Sequence, residues 1–308
     1  MDRATRMEIQ RIAAATLRDA GLTEPPMSIE RLLEHVQLHR DYYDLSNPGF
    51  LDRAKHKLRI QGRKLVEILN KVRLKAVLLF DESRICIDDS LPKIKHPWAS
   101  CHETGHRILT WHKPFFFGDT AETLDPAYQA DLEEEANYAA GRLLFLGDRF
   151  TQHASDVPPT IVGVKSLAKL YHASLTTTLR RYVEQGPDIA MAMLVSTPSW
   201  SEQPDDQPHR WRQFVQSARF EQIFPEMSAD ALRVLVDSNS QHRRGGIVAD
   251  FGFGLIDARG EHHELQAWTF NNQHYLLTLC VEEKRVSQTR IVMPCNGRSL
   301  GKANGGEL

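Results

Sequence analysis

Apolar and polar positions alternate along this chain with helical periods at its start and strand periods toward its end. Over residues 4–20, Met7, Ile9, Ile12, Ala13 and Leu17 recur along one side at helical spacing, and Gly21 follows as a stop signal. After the Pro25-Pro26 turn, Ser28 supplies an N-cap for a helix over residues 29–37. Val77-Leu78-Leu79-Phe80 and Ile85-Cys86-Ile87 predict two short strands around the polar turn Asp81-Glu82-Ser83-Arg84. The next helical pattern runs from about Ala99 to Leu109. After a loop over residues 113–130 another spans residues 131–146, with Leu132, Ala136, Ala139, Ala140, Leu143 and Leu144 on one side. The small residues in that stripe let a neighbouring helix come close.

Pro158-Pro159 opens a linker, and residues 164–182 read as two helices joined near His172-Ala173, the second capped by Ser174. This resembles a helix-turn-helix unit in which Thr176, Thr177, Arg180 and Arg181 could face a major groove, or a unit that simply packs on its neighbours. Residues 199–210 are polar and proline-bearing, as in an exposed loop. Beyond them a helix over 229–236 precedes strands at 247–256, 264–270 and 274–281, with turns at Arg259-Gly260 and Asn271-Asn272. His262-His263 falls in a predicted turn, where solvent exposure is expected rather than a second metal site. The whole is an α+β chain in three parts: residues 1–157, mainly helical with a small sheet; 158–198, the helix-turn-helix-like unit; and 199–308, a small α+β module of unknown role.

The chemistry concentrates at His102-Glu103-Thr104-Gly105-His106. Positions i and i+4 share a helix face, so His102 and His106 can aim two imidazoles at one ion, with Glu103 beside it as a general base for an activated water. Gly105 costs a helix about 1 kcal/mol relative to Ala, which makes sense if another backbone packs against it. A catalytic zinc needs a third protein ligand. His112 stands at the spacing of H-E-x-x-H-x-x-G-x-x-H, but the glycine that would turn the chain is Leu109 here, so the helix should continue and carry His112 away. Glu133 is the favoured ligand: with Asn137, four residues on, it lies next to the alanine stripe, whereas Glu134 and Glu135 rotate away.

His102-Glu103-Thr104-Gly105-His106 followed by Glu133-Glu134-Glu135-Ala136-Asn137-Tyr138-Ala139-Ala140 resembles the H-E-x-G-H and E-x-x-A-N-x-F-A segments of the ImmA/IrrE metallopeptidases. The match covers roughly the first 150 residues and more loosely the next 40 or so. The resemblance implies a zincin-like peptidase domain with His102, His106 and Glu133 as metal ligands and Glu103 as base. It also implies a substrate class, a helix-turn-helix transcriptional repressor whose cleavage releases stress or mobile-element genes. The chain departs from the pattern at Ala139, where the family has Phe, and at Phe145-Leu146-Gly147, where a Met-Pro often ends the helix. Neither departure removes a ligand. His112, Tyr128 and Tyr138 are candidates for an additional oxyanion donor. Zinc is the expected ion, although two histidines and a carboxylate also suit manganese or ferrous iron.

Composition adds limits. The chain has 308 residues, a net charge of −2 and 41% hydrophobic residues, so no global field favours nucleic acid. The local exception is a basic segment from Arg53 to Lys75, which leaves direct nucleic-acid binding open, with a solvated helix face as the plainer reading. Cys86, Cys101, Cys280 and Cys295 show no C-x-x-C spacing and read as reduced thiols. No signal-peptide pattern and no run approaching 18 apolar residues is present, so a cytoplasmic enzyme with no membrane partner is expected. Two rival readings remain: a non-proteolytic DNA- or protein-binding regulator that keeps the peptidase fold, and a zinc amidohydrolase acting on a small substrate. Glu103 argues against the first, because a metal scaffold alone does not need that carboxylate.

Overall fold

The carboxylate of Asp2 accepts the Thr5 N–H and starts the first helix, α1 (Arg3–Asp19), which buries Ile9, Ala13, Thr16 and Leu17. Gly21 ends it at φ +64°, a backbone conformation that glycine adopts freely. The Ser28 hydroxyl accepts the Arg31 N–H and caps α2 (Ile29–His35). The structure is a computed structural model and describes residues 1–43, 76–79, 83–113, 126–198 and 211–283. The basic segment of residues 53–75, the turn positions 81–82, loop residues 114–125, the 199–210 stretch, Cys295 and the 301–308 tail lie outside the described residues.

Three strands follow: β1 (His39–Tyr43), β2 (Ala76–Leu79) and β3 (Arg84–Asp88), in the order β1-β3-β2. The central β3 is parallel to β1 and antiparallel to β2. The metal-motif helix α3 (His96–Ile108) packs on β2 and β3. The partner helix α4 (Pro126–Leu144) begins five residues before the start expected at residue 131, with a proline in the first turn, where the missing N–H has no helical partner to lose. Next come α5 (Arg149–Ser155), α6 (Ile161–Leu170) and α7 (Leu175–Gln185). Phe145, Phe150 and Tyr171 form an aromatic triangle with ring centroids 4.8, 5.3 and 5.4 Å apart.

Ser174 caps α7 as expected, and His172 makes the preceding turn at φ +49°. Of the four candidate groove residues, Thr176 and Thr177 are half-buried and Arg180 is exposed. Arg181 and Thr178 are buried, Arg180 pairs with Glu184 at 2.8 Å, and Thr177 Oγ1 lies 2.8 Å from the capping Ser174 hydroxyl. α7 is occupied in packing on β4 (Met191–Ser196) and β5 (Trp211–Gln216).

These two strands belong to a five-stranded antiparallel sheet with β6 (Gly246–Ile256), β7 (His262–Asn271) and β8 (Leu276–Glu282), in the order β5-β4-β8-β7-β6. Residues 191–196, grouped by sequence with the helical unit, are thus a strand of this sheet. Short helices α8 (Ala218–Ile223) and α9 (Ala229–Asn239) cover one face. β4 is buried along its whole length because its side chains serve two cores. Ala192 and Leu194 pack with Phe220, Leu232 and Cys280, under α8 and α9. Met191, Met193 and Val195 join a cluster that runs through Tyr182 and Leu143 to Leu17 of α1.

His262-His263 is not in a turn. The turn lies just before it, where Asp257 Oδ1 accepts the backbone N–H groups of Arg259 and Glu261, and β7 restarts at His262. His262 is exposed, but His263 is tucked between Glu282 at 2.7 Å and Asp257 at 3.4 Å. Among the described residues, no helix is long and apolar enough to cross a membrane.

The aromatic triangle yields a stability test. Phe145 is fully buried, so Phe145→Ala should destabilise the protein by about 3–5 kcal/mol. Urea unfolding would show this as a lower midpoint at similar slope, and a loss below about 1 kcal/mol would mean the triangle is not a packed core.

Candidate metal centre

The site begins with the contact between α3 and α4. A Cβ on Gly105 would stand 3.0 Å from the Ala136 carbonyl oxygen and 3.2 Å from the Ala139 Cβ, tighter than side chains ordinarily pack. Ala136, Ala139 and Ala140 are fully buried. Glycine on one helix and alanines on the other therefore let the two backbones touch, as the sequence pattern anticipated. The small residue at 139, where the resembled family has Phe, suits this close approach.

That contact sets the Glu133 carboxylate over the histidine face of α3. His102 Nε2 lies 3.2 Å from Glu133 Oε2, His106 Nε2 lies 3.5 Å from Glu133 Oε1, and the two imidazole Nε2 atoms are 3.3 Å apart. Four-coordinate zinc with bonds near 2.0–2.1 Å would hold its ligand atoms roughly 3.3 Å from one another. The three donors already stand at that spacing, so the residues fit a zinc-sized ion, and a nitrogen, nitrogen, oxygen set also suits manganese or ferrous iron. Glu133 is 57% exposed while His106 is 3% exposed, so the centre opens to solvent on the Glu133 side. The far nitrogen of His102 is held as well: Nδ1 lies 3.1 Å from Asn137 Oδ1.

Electrostatics sort the groups into roles. Burial pushes the Glu103 carboxyl up to about 7, against the pull of His102 and of a backbone hydrogen bond from Leu78 on β2. A carboxyl poised there can take and return a proton near neutral pH. Burial brings His106 down to about 4, leaving a neutral imidazole with a lone pair to donate. For Glu133 burial favours the neutral form, but its contacts with the His102 and His106 imidazoles outweigh it and keep the carboxyl far below its usual range. For His102 burial opposes the charge, and Glu133 and Glu103 nevertheless raise it above the ordinary imidazole value.

The structure corrects the reading of His112. The helix does not continue past Leu109. It stops at Ile108, Leu109 is extended at ψ +93°, and a short 3-10 turn over Thr110–His112 brings the chain back. Leu109 is fully buried with Ile9 of α1 and Ala139 of α4, and this packing turns the chain in place of a glycine. His112 ends up fully buried beside His106, with 2.9 Å between their Nδ1 atoms. It faces the outer nitrogen of His106, not the Nε2 atoms that converge with Glu133. Burial holds it below the ordinary imidazole value. Glu135, read from sequence as turned away, receives the His112 Nε2 at 2.9 Å and the Trp111 indole N–H at 2.6 Å.

With both nitrogens engaged, His112 is no oxyanion donor. Tyr138 is turned to α1, where its hydroxyl accepts from Gln10 at 2.6 Å. Tyr128, half-buried near the start of α4, is the remaining candidate. Cys101, next to His102, is fully buried, and burial pushes its thiol well above the usual range, so it is a core residue. A second cluster among the described residues, Asp257, Glu261 and His263, also has the spacing for an ion. Its Asp257 Oδ1 is committed to the hairpin backbone and its His263 to Glu282, which accounts for it as hairpin structure.

No protein-family model matches the sequence, and no curated protein matches it. Among solved structures, a Mycobacterium tuberculosis transcriptional regulator is similar over 95% of this chain and 94% of its own, with a TM-score of 0.50 and 11% identity. At that identity the likeness concerns the fold alone: an α+β arrangement shared over nearly the whole length of both chains.

Two measurements probe the centre directly. Gly105→Val should force α3 and α4 apart, cost about 1–3 kcal/mol and abolish any rise in melting temperature that zinc gives the wild type. A variant that keeps the full zinc-induced rise would show that the close approach does not set the ligand spacing. The second is a pH test on metal-free protein. The Glu103 carboxyl sits near 7 in the fold against an ordinary 4.5, so its stabilising contribution is complete below 4.5 and is lost as pH rises through 7. Glu103→Gln removes that loss. Melting curves should show the variant gaining on the wild type by on the order of 2–3 kcal/mol between pH 4.5 and pH 8, and a difference independent of pH would refute the buried-carboxyl account.

Proposed function

We propose that this protein is a zinc-dependent endopeptidase with a zincin-like catalytic half, acting as a site-specific regulatory protease on a helix-turn-helix transcriptional repressor. The observation that carries the hydrolytic part is Glu103. It is a buried carboxyl with a value near 7, next to three converging ligand atoms but not one of them. A site that only stored an ion would not need it.

His102, His106 and Glu133 would hold the ion, and manganese or ferrous iron could replace zinc in the same donor set. When bound, the ion supplies Lewis acidity to the attacking water and to the scissile carbonyl. Glu103 takes the proton released in the attack and delivers it to the departing amine nitrogen. Asn137 keeps the His102 ring in the orientation that presents Nε2, and Leu78 N–H steadies the Glu103 carboxylate.

The substrate class rests on the resemblance to the ImmA/IrrE metallopeptidases, and the neighbour described as a transcriptional regulator is consistent with a role in gene control. That neighbour also favours a second reading, a non-proteolytic regulator that binds DNA or protein through the same fold. The burial of Arg181 and the engagement of Arg180 and Thr177 weigh against α7 as its DNA-reading element.

The test uses purified wild type, Glu133→Ala and Glu103→Gln, with metal content and cleavage of a repressor encoded beside the gene read on the same samples. The expected result is about one zinc per wild-type chain, loss of metal in Glu133→Ala, and full metal with no cleavage in Glu103→Gln. Tight metal retention by Glu133→Ala would remove it from the ligand set. Unchanged activity or phenotype in Glu103→Gln would hand the protein to the binding-protein reading.

A further inference from the structure

We infer that His112 and Glu135 are positioning residues that fix His106 in the one tautomer able to bind an ion through Nε2. The inference rests on the metal-centre reading above and assigns roles to two residues outside its ligand set.

The argument is one of donors and acceptors. Glu135 Oε2 takes both the Trp111 indole, which can only donate, and His112 Nε2. That oxygen therefore accepts, and His112 carries its proton on Nε2. A neutral imidazole protonated there has only a lone pair on Nδ1. His112 Nδ1 faces His106 Nδ1 at 2.9 Å, so His106 must place its own proton on Nδ1. Its Nε2 is then an unprotonated donor atom, and that atom is the one that meets His102 and Glu133. The chain of bonds leaves each ring a single tautomer.

The surroundings keep this order. His112 is fully buried, so water cannot substitute for either partner, and Glu135 is 14% exposed. The turn that carries Trp111 and His112 is pinned to α4 through Glu135, two residues after the ligand Glu133. Without the Glu135 acceptor, His112 could turn its proton toward His106 and drive the His106 proton onto Nε2, the state that cannot bind an ion. Partners of this kind on metal-binding histidines are commonly worth about 10–100-fold in affinity.

The experiment measures zinc dissociation constants by competition with a chromophoric chelator on full-length protein, with nitrogen NMR of the histidine rings on zinc-loaded samples. His112→Phe keeps the volume and removes the acceptor, while His112→Asn places a side-chain oxygen near the Nδ1 position. Glu135→Leu and Glu135→Gln form the matching pair at the other end. Zinc binding should weaken by about 10–100-fold in His112→Phe and Glu135→Leu. Most of it should return in His112→Asn and Glu135→Gln, and wild-type His106 should show its proton on Nδ1. If His112→Phe folds poorly, the Glu135 pair carries the same test. Wild-type affinity in both disruptive variants, or equal losses in disruptive and conservative variants, overturns the relay and leaves the metal centre standing. A wild type that binds no zinc overturns the metal centre and the relay together.

Discussion

The close approach of two helix backbones at Gly105 is the constraint on which the rest of the site depends. Ligand atoms must converge to within a few tenths of an ångström, and side chains as short as Glu133 and Asn137 reach His102 and His106 only if α4 lies directly on α3. Any side chain at 105 would meet the Ala136 carbonyl first. The cost of a glycine in a helix is about 1 kcal/mol, small against the tens of buried contacts that a wider gap would loosen. α4 is gripped on a second side too, because Glu135 holds the turn that follows α3. The metal-facing side and the outer side of one helix are thus set by residues two apart, and neither can shift without the other.

Crowding charge into this space has a cost that the ion would relieve. Two imidazoles and two carboxyls lie together, and burial opposes the charged form of each. Burial opposes the charge on His102 but the neighbouring carboxylates raise its value, and burial raises that of Glu103. A cation would supply the positive charge permanently and free the Glu103 proton for exchange. Binding energy at the site is then also folding energy, since the unfolded chain has no such cluster.

What could be read from sequence follows the range of the interactions. The His102–His106 spacing, the alanine stripe of α4 and the hairpin strands β6 to β8 are local periodicities, and the structure has them within a few residues. The candidate ligand and base positions were read from the same local pattern, and the small residue at Gly105 was legible as a close contact. β1 was missed because His39-Arg40-Asp41-Tyr42-Tyr43 has no apolar alternation and is a strand only through pairing with β3. β4 was missed because a run buried on both faces carries no period at all. His112 was misread because helix propensity argued for continuation past Leu109, and tertiary burial of that leucine against Ile9 and Ala139 overrode it; Glu135 was read as turned from the histidine face, but its partners Trp111 and His112 followed from that same unseen turn. No local signal in a lone leucine announces a turn of that kind.

The sheet and the half with the candidate metal centre also share structure, through β4. Its odd-numbered residues Met191, Met193 and Val195 belong to the core that includes α4, and its even-numbered Ala192 and Leu194 belong to the core under α8 and α9. A strand cannot shift along its axis without moving both sets at once. α7 lies between this strand and the helices of the metal half, packed on both, with Arg181 and Tyr182 buried in it. The helix-turn-helix-like unit thus packs against both the sheet and the helices of that half. Whatever acts on the sheet meets, one strand away, the same apolar cluster that supports the Leu143 side of α4, the helix that carries Glu133.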